Sequence, residues 1–557
     1  MSTSNPNSRR RSASFLKQGS LLAMASLVVR LIGMVYRIPM ANILGDGNGI
    51  YAVAFDIYDI ILIISSYSLP LALSKIISSQ NSRREYRNIG KTFRLSLWFA
   101  VASGGIFGTA LFVCAGLIEK YIYPAYMGLR IPLRVLAPTI FIVALLGVFR
   151  GFFQGKNTMV PTAVSQVLEQ VVNAVVSVSA AYLFMKWNID SLERSAWGAA
   201  GGTLGTCLGA FTALLLVMFV YYIYRPVQKK LERRDRSRRV YSSSHIYRIL
   251  FLTILPIILS QTVYQISGLI DYYLFSDLMG AKGIDPKTIS SLTGVYSSNY
   301  RTLTSVPIAI STSIASSMIP SAVAAFTKRD VGQLRYNILS GIKFNMIIAF
   351  PCAMGYTVLG QGIVRMLFPS MNYVLGGHLM MAGSAAIIFY AISNVTGSAL
   401  QSIDKMRIPV IHSAISLVIH IVLVMLLLQF TDLGIYVLII GNVTFPIVVG
   451  VMNIISLKRY IRGFRLKPLK TFFAPLSASL WMAIVIMILY TLFGRLFGMM
   501  AGSYAANALS VLLSLPVAAF VYFVVFIKLR GMTKQELFDF PFGRRLYLAA
   551  RRLKLMK

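Results

Sequence analysis

Apolar residues occupy this chain in long blocks, separated by short polar connections. A helix that crosses the roughly 30 Å hydrocarbon core of a bilayer needs about 20 of them in succession. Runs of that size fall near 20–44, 50–79, 95–118, 131–153, 161–185, 197–224, 246–279, 290–325, 337–367, 376–400, 408–430, 433–457, 471–494 and 504–527. The pattern predicts an all-α polytopic membrane protein with 14 transmembrane helices. The weakest separations are the short ones at 45–49 and 431–432. The first run is too long for a secretory leader and no small-residue cleavage site follows it, so it is expected to remain as a signal anchor.

Composition agrees with the pattern: 56% of the 557 residues are hydrophobic and only 13% are charged, which excludes a water-soluble fold of this size. Charge then sets the orientation. Of the 54 Lys and Arg, 39 fall in the N-terminal segment, the even-to-odd connections, the C-terminal tail and, as Arg248, the first turn of the seventh run, against 7 on the opposite side. That asymmetry predicts both termini in the cytoplasm. It accounts for the net charge of +36 without nucleic acid, and makes membrane lipids the expected partners of the basic loops. The densest cluster, "KKLERRDRSRR" at 229–239, reads as a topology signal and an anionic-lipid contact. The three cysteines, Cys114, Cys207 and Cys352, all lie in apolar runs and form neither a disulfide framework nor a metal spacing.

The chain also repeats itself. "GIYAVAFDIYDI" from Gly49 parallels "GVYSSNYRTLTS" from Gly294, and "TIFIVALLGVFRGFFQGKNTMVP" parallels "AIIFYAISNVTGSALQSIDKMRIP" at a nearly constant offset. Two six-helix lobes in the same orientation follow, with two additional C-terminal helices. The expected organisation is a basic N-tail at 1–19, an N-lobe at 20–224, a basic loop at 225–245, a C-lobe at 246–457, two further spans within 458–527 and a basic C-tail at 528–557.

No metalloprotease, hydrolase or metal-cluster motif occurs, and no cofactor is expected. "GKN" at 155–157 approaches a phosphate-binding loop, but Arg150 stands where its first glycine belongs. His412 and His420, two turns apart on one span, read as packing residues rather than a proton relay. The informative positions are charges inside the spans, each of which costs about 2.5–3.5 kcal/mol in hydrocarbon unless it meets a cavity or a partner. Arg30 and Arg37 stand seven residues apart, hence within about 20° of one helix face, with Gly33 on the same side. Asp56 and Asp59 on the second span offer structural ion pairs to them. The alternative is that the guanidinium groups await a phosphate or pyrophosphate, which their fork geometry suits. Arg301 adds a third such cation in the second copy, near Asp271 and Asp277 of the preceding span. On the fifth span, Gln166, Glu169, Gln170 and Asn173 form a polar stripe, which either packs against a neighbouring helix or lines a wet cavity.

"RLIGMVYRIPMANILGDGNGIYAVAFDIYDI", "SLPLALSKIIS", "GKNTMVPTAVSQVLEQVVN" and "GLIDYYLFSDLMG…GVYSSNYRTLTSVPIAISTSIASSMIP" resemble the multidrug/oligosaccharidyl-lipid/polysaccharide exporter superfamily. Within it they are similar to the Gram-positive branch containing the stage V sporulation protein B and YtgP proteins, relatives of the MurJ lipid II flippase. The resemblance spans about 15–527 and is most specific around Arg301. It implies a V-shaped transporter that moves a lipid-linked peptidoglycan precursor by alternating access. The implied substrate is an undecaprenyl-pyrophosphate-linked saccharide bound by Arg30, Arg37 and Arg301, with Asp271 as a coupling-ion candidate. The chain departs from the family in having Ile38 directly after Arg37, and in lacking a carboxylate on the eleventh span. Cell-wall synthesis or division proteins are the candidate protein partners. Teichoic- or capsular-type precursors, or a non-transporting division or sporulation scaffold, remain alternatives. A cationic-drug exporter would want an acidic cavity, which the three arginines oppose.

Overall fold

The computed structural model describes residues 25–552 except 27, 236, 238, 239, 467, 500, 501 and 540–542. Every described element is a helix, as lipid requires, because only a helix satisfies its own backbone donors and acceptors within one segment. The order is α1 (28–44), α2 (Asn48–Leu62), α3 (Leu69–Ser82), α4 (Tyr86–Leu117), α5 (Arg130–Gly155), α6 (Val160–Trp187), α7 (Arg194–Arg233), α8 (Ser243–Ala281), α9 (Pro286–Val295) and α10 (Thr302–Thr327). There follow α11 (Val331–Leu367), α12 (Tyr373–Gly383), α13 (Ala386–Ser402), α14 (Arg407–Phe430), α15 (Tyr436–Tyr460), α16 (Ala474–Gly498), α17 (Ser503–Lys528), α18 (Lys534–Asp539) and α19 (Gly543–Arg552).

The protein is a polytopic membrane protein. Among the described residues 11 helices are long and apolar enough to cross a bilayer, or 12 when the bent pair α12–α13 counts as one span. Fourteen were expected, and the difference has a local cause. The first two apolar runs form one helical stretch, Val28–Ser82. The glycines at 45–47 do not break it: they form a single 3-10 turn, and Asn48 Nδ2 donates to the carbonyls of Ala41 at 2.8 Å and Gly45 at 2.7 Å. Its 55 residues are long enough for two spans at about 1.5 Å per residue. The seventh run is helical as α8, but several of its side chains lie outside the described residues and only Ser243–Leu255 registers, as a shorter apolar helix.

The chain divides into two compact units, Met1–Gly294 and Val295–Lys557. In the first, α6 and α7 pack most closely. Gly201, Gly205 and Gly209 face α6 from one side of α7, where a Cβ on Gly201 would lie 2.5 Å from the Ala180 backbone and one on Gly209 2.6 Å from the Glu169 carbonyl oxygen. Small residues at this spacing let helix backbones approach where lipid supplies no hydrophobic drive. The same unit holds the repeat-related glycines together. A Cβ on Gly294 would lie 2.9 Å from the Gly49 nitrogen, and Ser291 Oγ donates to Asp46 at 2.9 Å.

In the second unit the tail folds back onto the bundle. Lys343 of α11, a charge within the ninth apolar run, meets both carboxylate oxygens of Glu536 at 2.8 Å. Thr533 and Glu536 cap α18 reciprocally: Thr533 N donates to Glu536 Oε2 at 2.8 Å, and Glu536 N to Thr533 Oγ1 at 3.3 Å. Ile347, Ala478, Phe526, Met532 and Leu537 close a small core beneath them. Burial opposes ionisation of Glu536, but the Lys343 ammonium and the Thr533 donors prevail and hold its carboxyl below the usual range. A carboxyl lowered in the folded state stabilises above its ordinary value and loses that contribution as pH falls through the lowered one. Proteolysis of the tail should therefore accelerate on acidification. Lys343→Ala, which strands a mostly buried carboxylate, should release the tail more than Lys343→Met combined with Glu536→Met does.

Candidate functional site

The first unit gathers a polar cluster around α1, which carries Arg30, exposed, and Arg37, half-buried. Gly33 lets α6 approach: a Cβ there would lie 3.1 Å from Gln170 Nε2. One turn on, buried Tyr36 accepts from Asn173 Nδ2 at 3.4 Å. Asn173 is held in turn, its Oδ1 lying 2.7 Å from Ser177 Oγ, which also lies 2.7 Å from the Gly202 carbonyl of α7. The glycine seam of α7 thus sets the position of α6, and α6 sets Tyr36 beside Arg37.

Arg37 meets the hydroxyl of Tyr36 and lies within electrostatic reach of Tyr51 and Asp59. Asp56, one turn away on α2, faces Tyr123 instead, and the Tyr123 hydroxyl donates to the Leu269 carbonyl of α8 at 3.1 Å. Of the two carboxylates proposed as partners for the arginine pair, Asp59 lies within electrostatic reach of Arg37 and Asp56 within that of Tyr123.

The polar stripe of α6 divides in the same way. Glu169 takes a salt bridge from Arg150 of α5, with Arg150 Nη2 2.7 Å from its Oε2, while Arg150 Nε donates to Ser165 Oγ at 2.9 Å. Gln170 and Asn173 pack on α1. Gln166 Oε1 is buried without a hydrogen-bond partner. In the sequence Arg150 stands out as a departure from a phosphate-binding loop, with no partner assigned to it. Its partner was legible in the tight "GKNT" turn, because an antiparallel helix pair brings residues at matching depth face to face.

Lys156 in that turn packs against aromatic rings. Its buried ammonium makes no hydrogen bond and lies over the rings of Tyr86, Phe152 and Tyr224, 5.2, 5.8 and 5.9 Å from their centroids. Burial pushes its pKa down to about 8, with Glu232 opposing. A lysine whose folded pKa lies below its ordinary value destabilises the fold while protonated, and that cost is relieved as pH rises through the folded value. The unfolding temperature should therefore rise between pH 7 and pH 9.5. Lys156→Met, which keeps apolar contact with the rings, should raise it at pH 7 and flatten the pH dependence.

In the second unit Arg301, half-buried, closes a π-helical turn, Tyr296–Arg301. Such turns are rare and recur at functional positions. This one is anchored by buried Tyr300, whose hydroxyl donates to the Gly383 carbonyl at 3.1 Å and lies 2.9 Å from Asn442 Oδ1. Gly383 is required there, since any Cβ would enter the Tyr300 ring. In the first unit Asp271 is buried on α8, and Asp277 lies on the same helix. His412 Nδ1 lies 2.8 Å from Asn453 Oδ1, and His420 Nδ1 donates to the Gly441 carbonyl at 3.0 Å. Both histidines bind α14 to α15, the packing role expected of them. Among the described residues no group of three His, Cys, Asp or Glu is placed to hold a metal ion.

Comparison with known proteins places these features in a family context. The model of a family described as polysaccharide biosynthesis protein matches residues 15–325. Among curated relatives, the lipid II flippase MurJ of Bacillus subtilis (strain 168) is 25% identical over 427 residues, covering 74% of this chain and 77% of its own. Stage V sporulation protein B of the same organism is 22% identical over 448 residues, covering 80% and 84%. Among solved structures, an inward closed conformation of the lipid II flippase MurJ aligns with a TM-score of 0.64 at 14% identity, over 91% of this chain and 97% of that one. An inward-facing multidrug resistance MATE transporter of the MOP superfamily aligns at 0.62 and 16% identity, over 78% and 95%.

Proposed function

The chain belongs to the polysaccharide biosynthesis protein family, and from that premise we propose that it flips a lipid-linked saccharide precursor across the cytoplasmic membrane. The favoured substrate is the peptidoglycan precursor lipid II, moved by alternating access. The observation that carries this reading is the placement of guanidinium groups on apolar helices: Arg30 and Arg37 on α1, and Arg301 on a π-helical turn. An undecaprenyl-pyrophosphate headgroup offers the paired phosphates that arginine forks bind at two points. Each of the three supplies charge to that pyrophosphate, with Gln166, Glu169, Gln170 and Asn173 as polar neighbours and Asp271 as the coupling-ion candidate. Relatives named as flippases and transporters favour transport over an enzymatic role.

In this reading the chain crosses the membrane fourteen times, because the 55-residue stretch at Val28–Ser82 supplies two spans and α8 one more. The repeats at 20–224 and 246–457 form the lobes, and both termini face the cytoplasm. The last two spans, α16 and α17, flank an apolar track for the polyprenyl tail.

The test is depletion of the protein in its host, followed by an assay of which leaflet holds lipid II. Accumulation in the inner leaflet, reversed by the wild-type chain, is the expected result. Unchanged lipid II with an inner-leaflet excess of a teichoic or capsular precursor would move the reading to that substrate, and no lipid imbalance at all would favour a scaffold.

A further inference from the structure

A cavity of about 420 Å³ opens between the end of α3 and the first turns of α8, within the first unit and away from Arg37. Lys75 and Arg83 supply two cations to its lining, and Glu85 supplies one carboxylate. Glu85 Oε2 accepts from Asn88 Nδ2 at 3.2 Å, which uses one of a carboxylate's roughly four acceptor positions. Gln80 also lines the cavity and is only 5% exposed. Its Nε2 donates to Thr92 Oγ1 at 2.9 Å, while its Oε1 has no partner. A buried acceptor left unmet costs about 1–3 kcal/mol, so a ligand that brings a donor to this wall is favoured over one that does not. A phosphodiester by itself brings none.

The rest of the wall mixes apolar side chains with Ser79, His245 and Thr253. Ile76 and Ile249 face the space. Tyr241, stacked on His245 with ring centroids 5.0 Å apart, is pinned by both its backbone groups: its N–H donates to Asn88 Oδ1 at 3.0 Å, and its carbonyl accepts from Lys91 Nζ at 2.7 Å. Leu71, one turn before Lys75, and Phe251 and Leu252, just beyond Ile249, are exposed apolar side chains on the same two helices. Such a surface on a membrane-spanning helix faces acyl chains.

We propose that this cavity binds the phosphoethanolamine headgroup of a membrane phospholipid. The phosphodiester meets Lys75 and Arg83, the ammonium donates to Glu85 and to Gln80 Oε1, and the acyl chains run along Leu71, Phe251 and Leu252. The site is independent of the pyrophosphate-binding arginines and of the substrate that is flipped.

The test uses the purified full chain in detergent, with lipid binding read by native mass spectrometry and by thermal unfolding. Phosphatidylethanolamine should bind at least about tenfold more tightly than phosphatidylcholine, whose trimethylated nitrogen keeps the charge but has no N–H to donate. Phosphatidylglycerol should fall below phosphatidylethanolamine because its headgroup adds no cation for Glu85. Glu85→Gln should erase the preference for the ethanolamine lipid, and Arg83→Gln should weaken all three lipids. Equal binding of the ethanolamine and choline lipids would overturn the proposal, as would an unchanged preference in Glu85→Gln. Glycerophosphoethanolamine without acyl chains should bind far more weakly; equal binding by it would overturn the assignment to a membrane lipid.

Discussion

Arg37→Ala should reduce flipping by between about tenfold and about 150-fold, while the chain still inserts and unfolds cooperatively. The magnitude follows from losing one charge-assisted contact with the substrate, about 1.5–3 kcal/mol, at about 1.4 kcal/mol per factor of ten. Arg37→Lys should recover part of the activity, since it keeps the charge and loses the fork. Asp59 lies within electrostatic reach of Arg37, so a purely structural ion pair is the competing explanation, and a double-mutant cycle separates the two. If Arg37 serves only to neutralise Asp59, then Asp59→Asn should rescue Arg37→Ala. If Arg37 meets pyrophosphate, the double variant should stay inactive. Arg301→Ala, on the anchored turn of the second unit, should behave like Arg37→Ala. Rescue by Asp59→Asn, together with normal flipping by Arg301→Ala, would remove the arginines from the substrate's path.

Helices were legible because lipid leaves the backbone no other way to satisfy its hydrogen bonds, so each apolar run announces one. Span counting is less direct where a polar side chain bridges a break. "GDG" reads as a turn, yet Asn48 spans it with two hydrogen bonds and the helix continues. The reverse holds at α12–α13, where one apolar run bends by 46°.

The polar residues of the cluster were visible as types, but their pairing was not, because partners depend on which helices are neighbours. The stripe on α6 left packing and a wet cavity open. In the structure Gln170 and Asn173 pack on α1 and Glu169 pairs with Arg150, so most of the stripe binds helices together. Lys343 has a partner that no local pattern could indicate. Its partner Glu536 lies 193 residues away in the tail, beyond the reach of any local pattern or of the internal repeat. The repeat itself did locate one long-range contact, since its equivalent glycines, Gly49 and Gly294, meet in space.

The largest effect on stability should come from Gly205. A Cβ there would enter the Ser177 hydroxyl, and would lie 2.5 Å from the Ser177 nitrogen and 2.6 Å from the Asn173 carbonyl oxygen. Those last two are backbone atoms of α6 and cannot swing aside, so the helices must separate. Overpacking of this kind costs about 1–3 kcal/mol for a methyl group and more for a larger side chain. Gly205→Ala should therefore lower the unfolding temperature despite alanine's better helix propensity, and Gly205→Val should abolish the folded peak in size-exclusion chromatography. Gly105 on α4, where a Cβ would meet nothing within 4 Å, supplies the control: Gly105→Ala should leave stability unchanged or improve it. Separation of α6 from α7 also withdraws Asn173 from Tyr36, and with it the support beside Arg37. Gly205→Ala should accordingly lose transport out of proportion to its loss of folded protein. Transport that tracks the amount of folded protein would show that the cluster around Arg37 does not depend on the glycine seam.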